Sequence, residues 1–173
     1  MKFVFVTGGN RSGKSDFAQK YAESIEGVRT YIATATVTDK EMEQRILLHK
    51  SKRGKEWHNV VEEPFDLKNA ILNLNGKTDV ALIDCITVWI NNLLYKLENN
   101  VSATEKEITL FLKNLEKVEY NIFIVSNEVG MGIVPANNLA RLFRDISGKT
   151  NQQLAKLSDE FYTFFSGYPL RLK

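Results

Sequence analysis

The feature that most constrains the fold is a glycine-rich octapeptide at residues 8–15, Gly-Gly-Asn-Arg-Ser-Gly-Lys-Ser. It matches the pattern G-x-x-x-x-G-K-[ST] at every fixed position, and average composition puts a chance match in such a chain below about 1 in 100. An apolar run at residues 3–6 precedes it, and Phe17, Tyr21 and Ile25 follow at intervals of four residues. A buried strand, a loop and an amphipathic helix are therefore predicted, in the order that a phosphate-binding loop requires.

The residue types inside this phosphate loop predict how it holds a triphosphate. Glycines let the backbone bring its N–H groups close to phosphate oxygens, and the next helix points the positive end of its dipole at them. Lys14 is the cation expected at the β- and γ-phosphates, and the Ser15 hydroxyl is a candidate Mg²⁺ ligand. The predicted nucleotide-binding residues of the loop are Gly8, Gly9, Asn10, Arg11, Ser12, Gly13, Lys14 and Ser15.

Proteins with such a loop also use an acidic residue at a strand end to hold Mg²⁺, directly or through water. Asp84 follows the apolar run at residues 80–83 and is the second candidate ligand. An aspartate there also suits the N-cap of a helix that begins near Ile86. The pattern leaves both roles open.

Strand and helix patterns alternate along the chain and predict one α/β domain over residues 1–173. Strands are predicted at residues 3–6, 31–34, 60–61, 80–83 and 122–125, with a C-terminal β-hairpin formed by residues 161–165 and 170–172 around Gly167. After the first helix, a second is predicted from Asp39 to about Lys52, with Met42, Ile46 and His49 near one face. Further helices are predicted after Asp84 through Leu94, around residues 108–115 and from about Asn138. Residues 99–104 are predicted to form a loop. The predicted fold class is that of a P-loop NTPase, with a mostly parallel central sheet flanked by helices.

Composition narrows the possible partners. Lys and Arg total 23 against 21 Asp and Glu, so charge gives no case for a nucleic-acid partner. No apolar stretch approaches 20 residues, and we expect no membrane span. Cys85 is the single cysteine, which rules out a disulfide framework and fits a cytoplasmic protein.

Several segments together resemble one family. They are TGGNRSGKS at residues 7–15, YIAT at 31–34, Arg45-Ile46-x-x-His49, EEP at 62–64, DCIT at 84–87, NEVGMGIVP at 127–135, FRD at 143–145 and NQ at 151–152. In this order they resemble the bifunctional adenosylcobinamide kinase/adenosylcobinamide-phosphate guanylyltransferases of cobalamin nucleotide-loop assembly. The phosphate loop is common to many proteins, whereas the segment at residues 127–135 is far more specific.

The resemblance implies a RecA-like P-loop fold, a homotrimer and two successive reactions on a corrinoid. The first phosphorylates the hydroxyl of adenosylcobinamide's aminopropanol arm with ATP or GTP. The second transfers GMP from GTP to that phosphate, releases pyrophosphate and passes through a guanylylated histidine. Mg²⁺ is the expected cofactor.

The R-I-x-x-H pattern makes His49 the implied nucleophile. A neutral imidazole attacks phosphorus well near neutral pH, and a covalent intermediate splits a difficult transfer into two steps. Lys50, Lys52 and Arg53 follow at once and can neutralise developing phosphate charge. The chain has only 2 histidines, and we interpret the other, His58, as structural or exposed.

Further nucleotide contacts are implied by the same resemblance. By the resemblance, Glu62 corresponds to a glutamate of the family that contacts the nucleotide, and Glu63 is the alternative. A carboxylate at this place can accept the N1–H and N2–H₂ donors of guanine. Ala33 and Thr34 lie at the carboxyl end of a predicted strand, where open α/β sheets bind ligands. Asn127 and Glu128 hold an equivalent place without an assigned role.

Three other interpretations are weaker. A kinase for another small alcohol or nucleotide would share the phosphate loop and Asp84 but would not need His49. A GTPase-like switch usually reads guanine with Asn-Lys-x-Asp, which is absent from the sequence. A RecA-like DNA motor would be expected to carry a basic surface, and the charge balance argues against one.

Overall fold

The structure is a computed structural model that describes residues 1–37, 40, 43–44, 46–47, 50 and 54–173. The described residues between 40 and 50 are helical. Asp39, Met42 and His49, on which the predicted helix over this stretch depended, lie outside the described residues.

A central sheet contains seven strands in the order β3-β2-β4-β5-β1-β6-β7. The strands are β1 Phe3–Gly8, β2 Arg29–Ala33, β3 Asn59–Glu62, β4 Val80–Asp84, β5 Asn121–Val125, β6 Glu160–Phe165 and β7 Tyr168–Arg171. All neighbouring pairs are parallel except β6 and β7, which are antiparallel. The predicted mostly parallel sheet and C-terminal hairpin are therefore confirmed.

Helices connect the parallel strands. Within residues 1–37 and 54–173 they are α1 Lys14–Glu23, α2 Leu67–Asn73, α3 Ile86–Lys96, α4 Val101–Leu115 and α5 Asn138–Leu157, with a short 3₁₀ turn at Val129–Met131. Among the described residues, no helix is both long and apolar enough to cross a bilayer.

The sheet buries apolar side chains on both faces because successive strand residues point to opposite sides. In β1, Phe3 and Phe5 join a cluster that includes Trp89 of α3 and Phe111 of α4. Val4 and Val6 join a second cluster against α1. This two-sided burial explains why the central strands read as continuous apolar runs.

The prediction of a loop at residues 99–104 is wrong. Helix α4 begins at Val101, and Asn100 is its N-cap, whose side chain accepts the N–H of Ala103 at 3.1 Å. Thr104 is fully buried in the first turn. The polar stretch is a capped helix start, because asparagine is as favourable at an N-cap as in a turn.

Candidate nucleotide-binding and transfer site

The phosphate loop joins the carboxyl end of β1 to the start of α1. Gly13 precedes the helix with φ at 93°, in the left-handed region that favours glycine. A Cβ on Gly8 would lie 2.7 Å from the Ser12 Oγ and 2.8 Å from the Phe164 Cβ. Glycine at position 8 therefore permits the loop to fold back closely against β6.

Lys14 lies within the loop itself, with only 7% of its surface exposed. Its Nζ donates to the Gly9 carbonyl at 3.1 Å. Burial lowers the pKa of Lys14, and the neighbouring Cys85 and Asp84 offset only part of that effect. The ammonium is thus held in advance where an incoming phosphate can replace the carbonyl as its partner.

A cleft opens between the phosphate loop and the carboxyl ends of β2, β3, β4 and β5, and it is called the first cleft below. Its lining residues are Asn10, Lys14, Ser15, Tyr31, Ala33, Ala35, Ile46, Lys50, Glu62, Asp84, Cys85, Val88 and Asn127. It encloses about 870 Å³ of space, part of it open to solvent. The structure therefore brings together predicted site residues from five separate stretches of the chain.

Asp84 ends β4 at the floor of the first cleft, and the hydroxyl of Tyr31 donates to its Oδ2 at 2.8 Å. Helix α3 has Cys85 at its N-cap, so the alternative N-cap role of Asp84 is wrong. Asp84 and Ser15 line the same cleft and supply the hard oxygen atoms that Mg²⁺ prefers. These two residues are the ones that would hold Mg²⁺, which would neutralise phosphate charge there.

Thr34 is completely buried beneath this floor. Its hydroxyl donates to the Cys85 carbonyl and accepts the Cys85 N–H, each at 2.8 Å. The Asn92 side chain in turn donates to the Thr34 carbonyl at 2.8 Å. Thr34 therefore fastens the end of β2 to the turn that carries Asp84.

Glu62 and Glu63 face different surroundings. Glu62 lines the first cleft and pairs with Lys50, with 2.7 Å between Nζ and Oε1. The Glu63 carboxylate instead accepts the N–H groups of Phe65 and Asp66, at 2.9 and 2.8 Å. The geometry favours Glu62 as the nucleotide contact and gives Glu63 a structural role before α2.

The carboxyl end of β5 connects the phosphate loop to helix α5. The Glu128 N–H donates to the Gly8 carbonyl at 3.0 Å. Asn151 of α5 donates its amide to the Asn127 carbonyl at 3.1 Å and to the Glu128 carboxylate at 3.2 Å. Asn127 and Glu128 thus lie beside the phosphate loop. Their position after a predicted strand indicated this place in the sequence but assigned them no role.

Three predicted site residues, His49, Lys52 and Arg53, lie outside the described residues. The other histidine, His58, was interpreted as structural or exposed. It is exposed, and its Nδ1 accepts the Arg29 N–H at 3.1 Å.

Sequence reasoning missed Cys85 as a site residue. It lines the first cleft, and burial raises the pKa of its thiol to about 12. The thiol therefore stays protonated beside the carboxylate of Asp84 and adds no charge to the site. Its place directly after a strand-end aspartate was the available signal.

The fold and the loop define a P-loop NTPase. Flagellar accessory protein FlaH from Methanocaldococcus jannaschii superposes with a TM-score of 0.55 at 13% identity, over 99% of this chain and 78% of that one. The RadB recombinase superposes with a TM-score of 0.54 at 15% identity, over 94% and 73% of the respective chains. At such identities the similarity concerns the fold, which is RecA-like.

Sequence comparison is more specific. The family model described as cobinamide kinase/cobinamide phosphate guanyltransferase matches residues 4–172. The chain is 38% identical to the bifunctional adenosylcobalamin biosynthesis protein CobU of Salmonella typhimurium, over 98% of this chain and 99% of that protein. This chain therefore belongs to the cobinamide kinase/cobinamide phosphate guanyltransferase family, and it is a transferase with both activities.

Proposed function

We propose that the two activities share the first cleft, with the phosphate loop serving γ-phosphoryl transfer and His49 serving guanylyl transfer. The observation that carries the proposal is the meeting of Lys14, Ser15 and Asp84 with Lys50 and Glu62 around one space. The first three residues are those that phosphoryl transfer requires. Lys50 follows the implied nucleophile, His49, directly in the sequence, and it pairs with Glu62.

In the kinase step, the aminopropanol hydroxyl of adenosylcobinamide attacks the γ-phosphorus of ATP or GTP. A bond forms between that oxygen and phosphorus while the hydroxyl proton passes to solvent. The bridging bond to the β-phosphate breaks, and the nucleoside diphosphate leaves. Phosphoryl transfer depends mainly on positioning and on charge stabilisation. The buried ammonium of Lys14 and the N–H groups of the loop supply both, and Mg²⁺ held by Ser15 and Asp84 would add further charge neutralisation.

In the second step, a ring nitrogen of His49 attacks the α-phosphorus of GTP and pyrophosphate leaves. The corrinoid phosphate then attacks the same phosphorus, which releases His49 and forms adenosylcobinamide-GDP. Lys50, Lys52 and Arg53 are placed by sequence to offset charge on the phosphates. The pair between Lys50 and Glu62 is exposed, so a nucleotide can replace it at little cost.

Glu62 is the residue we assign to the guanine base, because its carboxylate lines the cleft and can accept from both N1–H and N2–H₂. Ala33 lines the wall beside it without adding bulk. Thr34 acts as a positioning residue for the Asp84 turn, since its hydroxyl is already engaged there.

The larger setting is proposed on the same basis. The corrinoid is the substrate, GTP and ATP are co-substrates, Mg²⁺ is the cofactor, and three copies of the chain associate. A cytoplasmic location suits a protein whose single cysteine is free and buried.

One incubation tests this function. The protein is mixed with GTP, Mg²⁺ and adenosylcobinamide, and the corrinoid products are identified by mass. We expect adenosylcobinamide phosphate first and adenosylcobinamide-GDP later, together with pyrophosphate. Adenosylcobinamide that stays unmodified would contradict the proposed function and leave the rival small-molecule kinase.

A further inference from the structure

A separate groove lies between helices α3 and α5 and is called the α3–α5 groove. Asn91, Leu94 and Tyr95 of α3 and Asn99 in the following turn form one side, and the start of α5 forms the other. The groove encloses about 610 Å³, part of it open to solvent. Among the described residues, it shares none of its lining with the first cleft.

Helix α3 connects this groove to the first cleft. Val88 lines the first cleft, and Asn91 and Tyr95 line the groove. Their spacing along the chain, three and then four positions, sets these residues on one stripe of the helix. The side chain of Asn92 donates to the Thr34 carbonyl at 2.8 Å and holds α3 against the segment that follows β2. The stripe therefore runs from the site of phosphoryl transfer to the groove.

The walls of the groove are apolar and partly exposed. Tyr95 is 88% exposed and Leu139 is 44% exposed. Leu94 and Phe143 belong to the same lining. An exposed aromatic ring beside aliphatic side chains suits a flat ligand with apolar faces.

The polar groups of the groove are carboxamides. Asn91, Asn99 and Asn137 line it, and none of the described residues in its lining is charged. The Asn137 Oδ1 accepts the Leu139 N–H at 2.8 Å, which leaves the NH₂ group of Asn137 to donate. A carboxamide both donates and accepts hydrogen bonds, so it pairs well with another carboxamide. The groove therefore suits a ligand whose polar groups are neutral amides.

The acceptor of the kinase step has this chemistry. A corrinoid is a flat macrocycle with apolar faces, and its rim carries acetamide and propionamide groups. The hydroxyl of cobinamide ends an arm of about seven bonds, which reaches about 8 Å because three bonds of extended chain span at most about 3.6 Å. Val88 and Leu94 are six residues apart, which is about 9 Å along a helix. A ring in the groove can therefore present its hydroxyl in the first cleft.

We propose that the α3–α5 groove binds the corrin ring of the acceptor, with Tyr95 against its face and Asn91 and Asn99 hydrogen-bonded to its rim amides. The aminopropanol arm then follows the stripe of α3 past Val88 to the γ-phosphate at Lys14. This rests on the proposed function, in which the kinase step takes place in the first cleft. One ring position serves both steps, because the phosphate formed in the first step stays at the end of the same arm.

Calorimetry measures this binding without any reaction. Adenosylcobinamide is titrated into protein that holds β,γ-imido-ATP and Mg²⁺. We expect Tyr95→Ala to weaken binding at least about fivefold, because an aromatic contact and its buried area are both lost. Tyr168→Ala is the matched control and should bind as wild type does, since Tyr168 is 80% exposed and lines neither space. Equal affinity of wild type and Tyr95→Ala would refute the assignment.

Protection of an introduced cysteine locates the ring. The native Cys85 is buried, so Asn91→Cys places an accessible thiol in the groove, and Tyr168→Cys places one outside it. With β,γ-imido-ATP present throughout, we expect adenosylcobinamide well above its Kd to slow alkylation of Asn91→Cys by N-ethylmaleimide at least about fivefold. Tyr168→Cys should react at an unchanged rate.

Two results would overturn the proposal. Equal alkylation of Asn91→Cys with and without the corrinoid would place the ring elsewhere. Protection that depends on protein concentration and not on the corrinoid would make the groove an interface between copies of the chain. Because no phosphorus group is transferred in calorimetry or alkylation, a failure of the proposed function would leave both results unchanged.

Discussion

Lys14 carries the clearest physical signature of any single residue in the cleft. It is a buried cation whose pKa burial lowers, held by one carbonyl of its own loop. An anionic ligand stabilises such an ammonium group strongly, because it replaces a weak neutral acceptor with a charged one in a site that holds little water.

Lys14→Ala is therefore expected to lower the kinase rate by about 10²–10³-fold, the usual effect of deleting one charge-stabilising donor. The measurement is phosphorylation of adenosylcobinamide at saturating ATP. Lys20→Ala is the control, since Lys20 is exposed on the same helix, and it should retain full activity. Near-normal phosphorylation by Lys14→Ala would show that the loop does not serve the kinase step.

Asp84→Asn tests the Mg²⁺ site at the floor of the cleft. The amide can still accept from Tyr31 but has lost the charge that attracts the cation. We expect a folded protein that needs at least about tenfold more Mg²⁺ for half-maximal kinase activity. The readout is an Mg²⁺ titration of the initial rate. An unchanged titration would move the acidic role to another residue, for which Glu128 is the first candidate.

At this scale the sequence predicted roles for single residues, and these roles stay predictions. Lys14, Ser15, Glu62 and Asp84 line one cleft because the parallel strands that carry or precede them end at one edge of the sheet. The hydrogen bonds that commit Thr34 to the Asp84 turn depend on the register between β2 and β4. No local pattern reports that register.

At the scale of elements, prediction depended on how strongly each segment is buried. Strands such as β4 and β5 are buried on both faces and appear as apolar runs. Helix α2 was not predicted, because it is short and its buried residues are only Leu67 and Ile71. Two apolar residues do not establish a helical period.

The N-cap of α4, in the stretch that was predicted to be a loop, can be tested directly. Asn100→Ala removes the acceptor for the Ala103 N–H and is expected to destabilise the protein by about 0.5–2 kcal/mol. Asn100→Asp keeps an acceptor and should stay near the wild-type value. Urea unfolding followed by circular dichroism measures both free energies. Equal stabilities for the two variants would mean that the cap contributes nothing.

At the scale of the whole molecule, apolar side chains remain exposed beyond the cleft. The segment that follows β5 exposes 75% of Met131, 96% of Ile133 and 63% of Val134. Neighbouring exposed apolar residues often mark a protein interface. We therefore expect this segment to lie at an interface between copies of the chain, as the proposed homotrimer requires.

Sedimentation tests the association. At micromolar concentration we expect a single species with three times the mass of the 19.7 kDa chain. A monomer with full activity in both steps would contradict the trimer, and would show that each cleft is complete within one chain.

The central claim is that one chain carries two kinds of phosphorus chemistry, and the covalent intermediate on His49 tests it most directly. The protein is incubated with Mg²⁺ and GTP labelled at the α-phosphate, and the label that stays with the protein is counted after base and after mild acid. A phosphoramidate should survive base and be lost in acid, because protonation of its nitrogen makes a good leaving group.

Wild type and the control His58→Ala are expected to carry this acid-labile label, since His58 is engaged with the backbone of Arg29. His49→Ala should carry none and should lose guanylyl transfer while retaining part of its kinase activity, because phosphoryl transfer to an alcohol does not need this nucleophile. The same acid-labile label on His49→Ala, or its absence from wild type, would contradict the account.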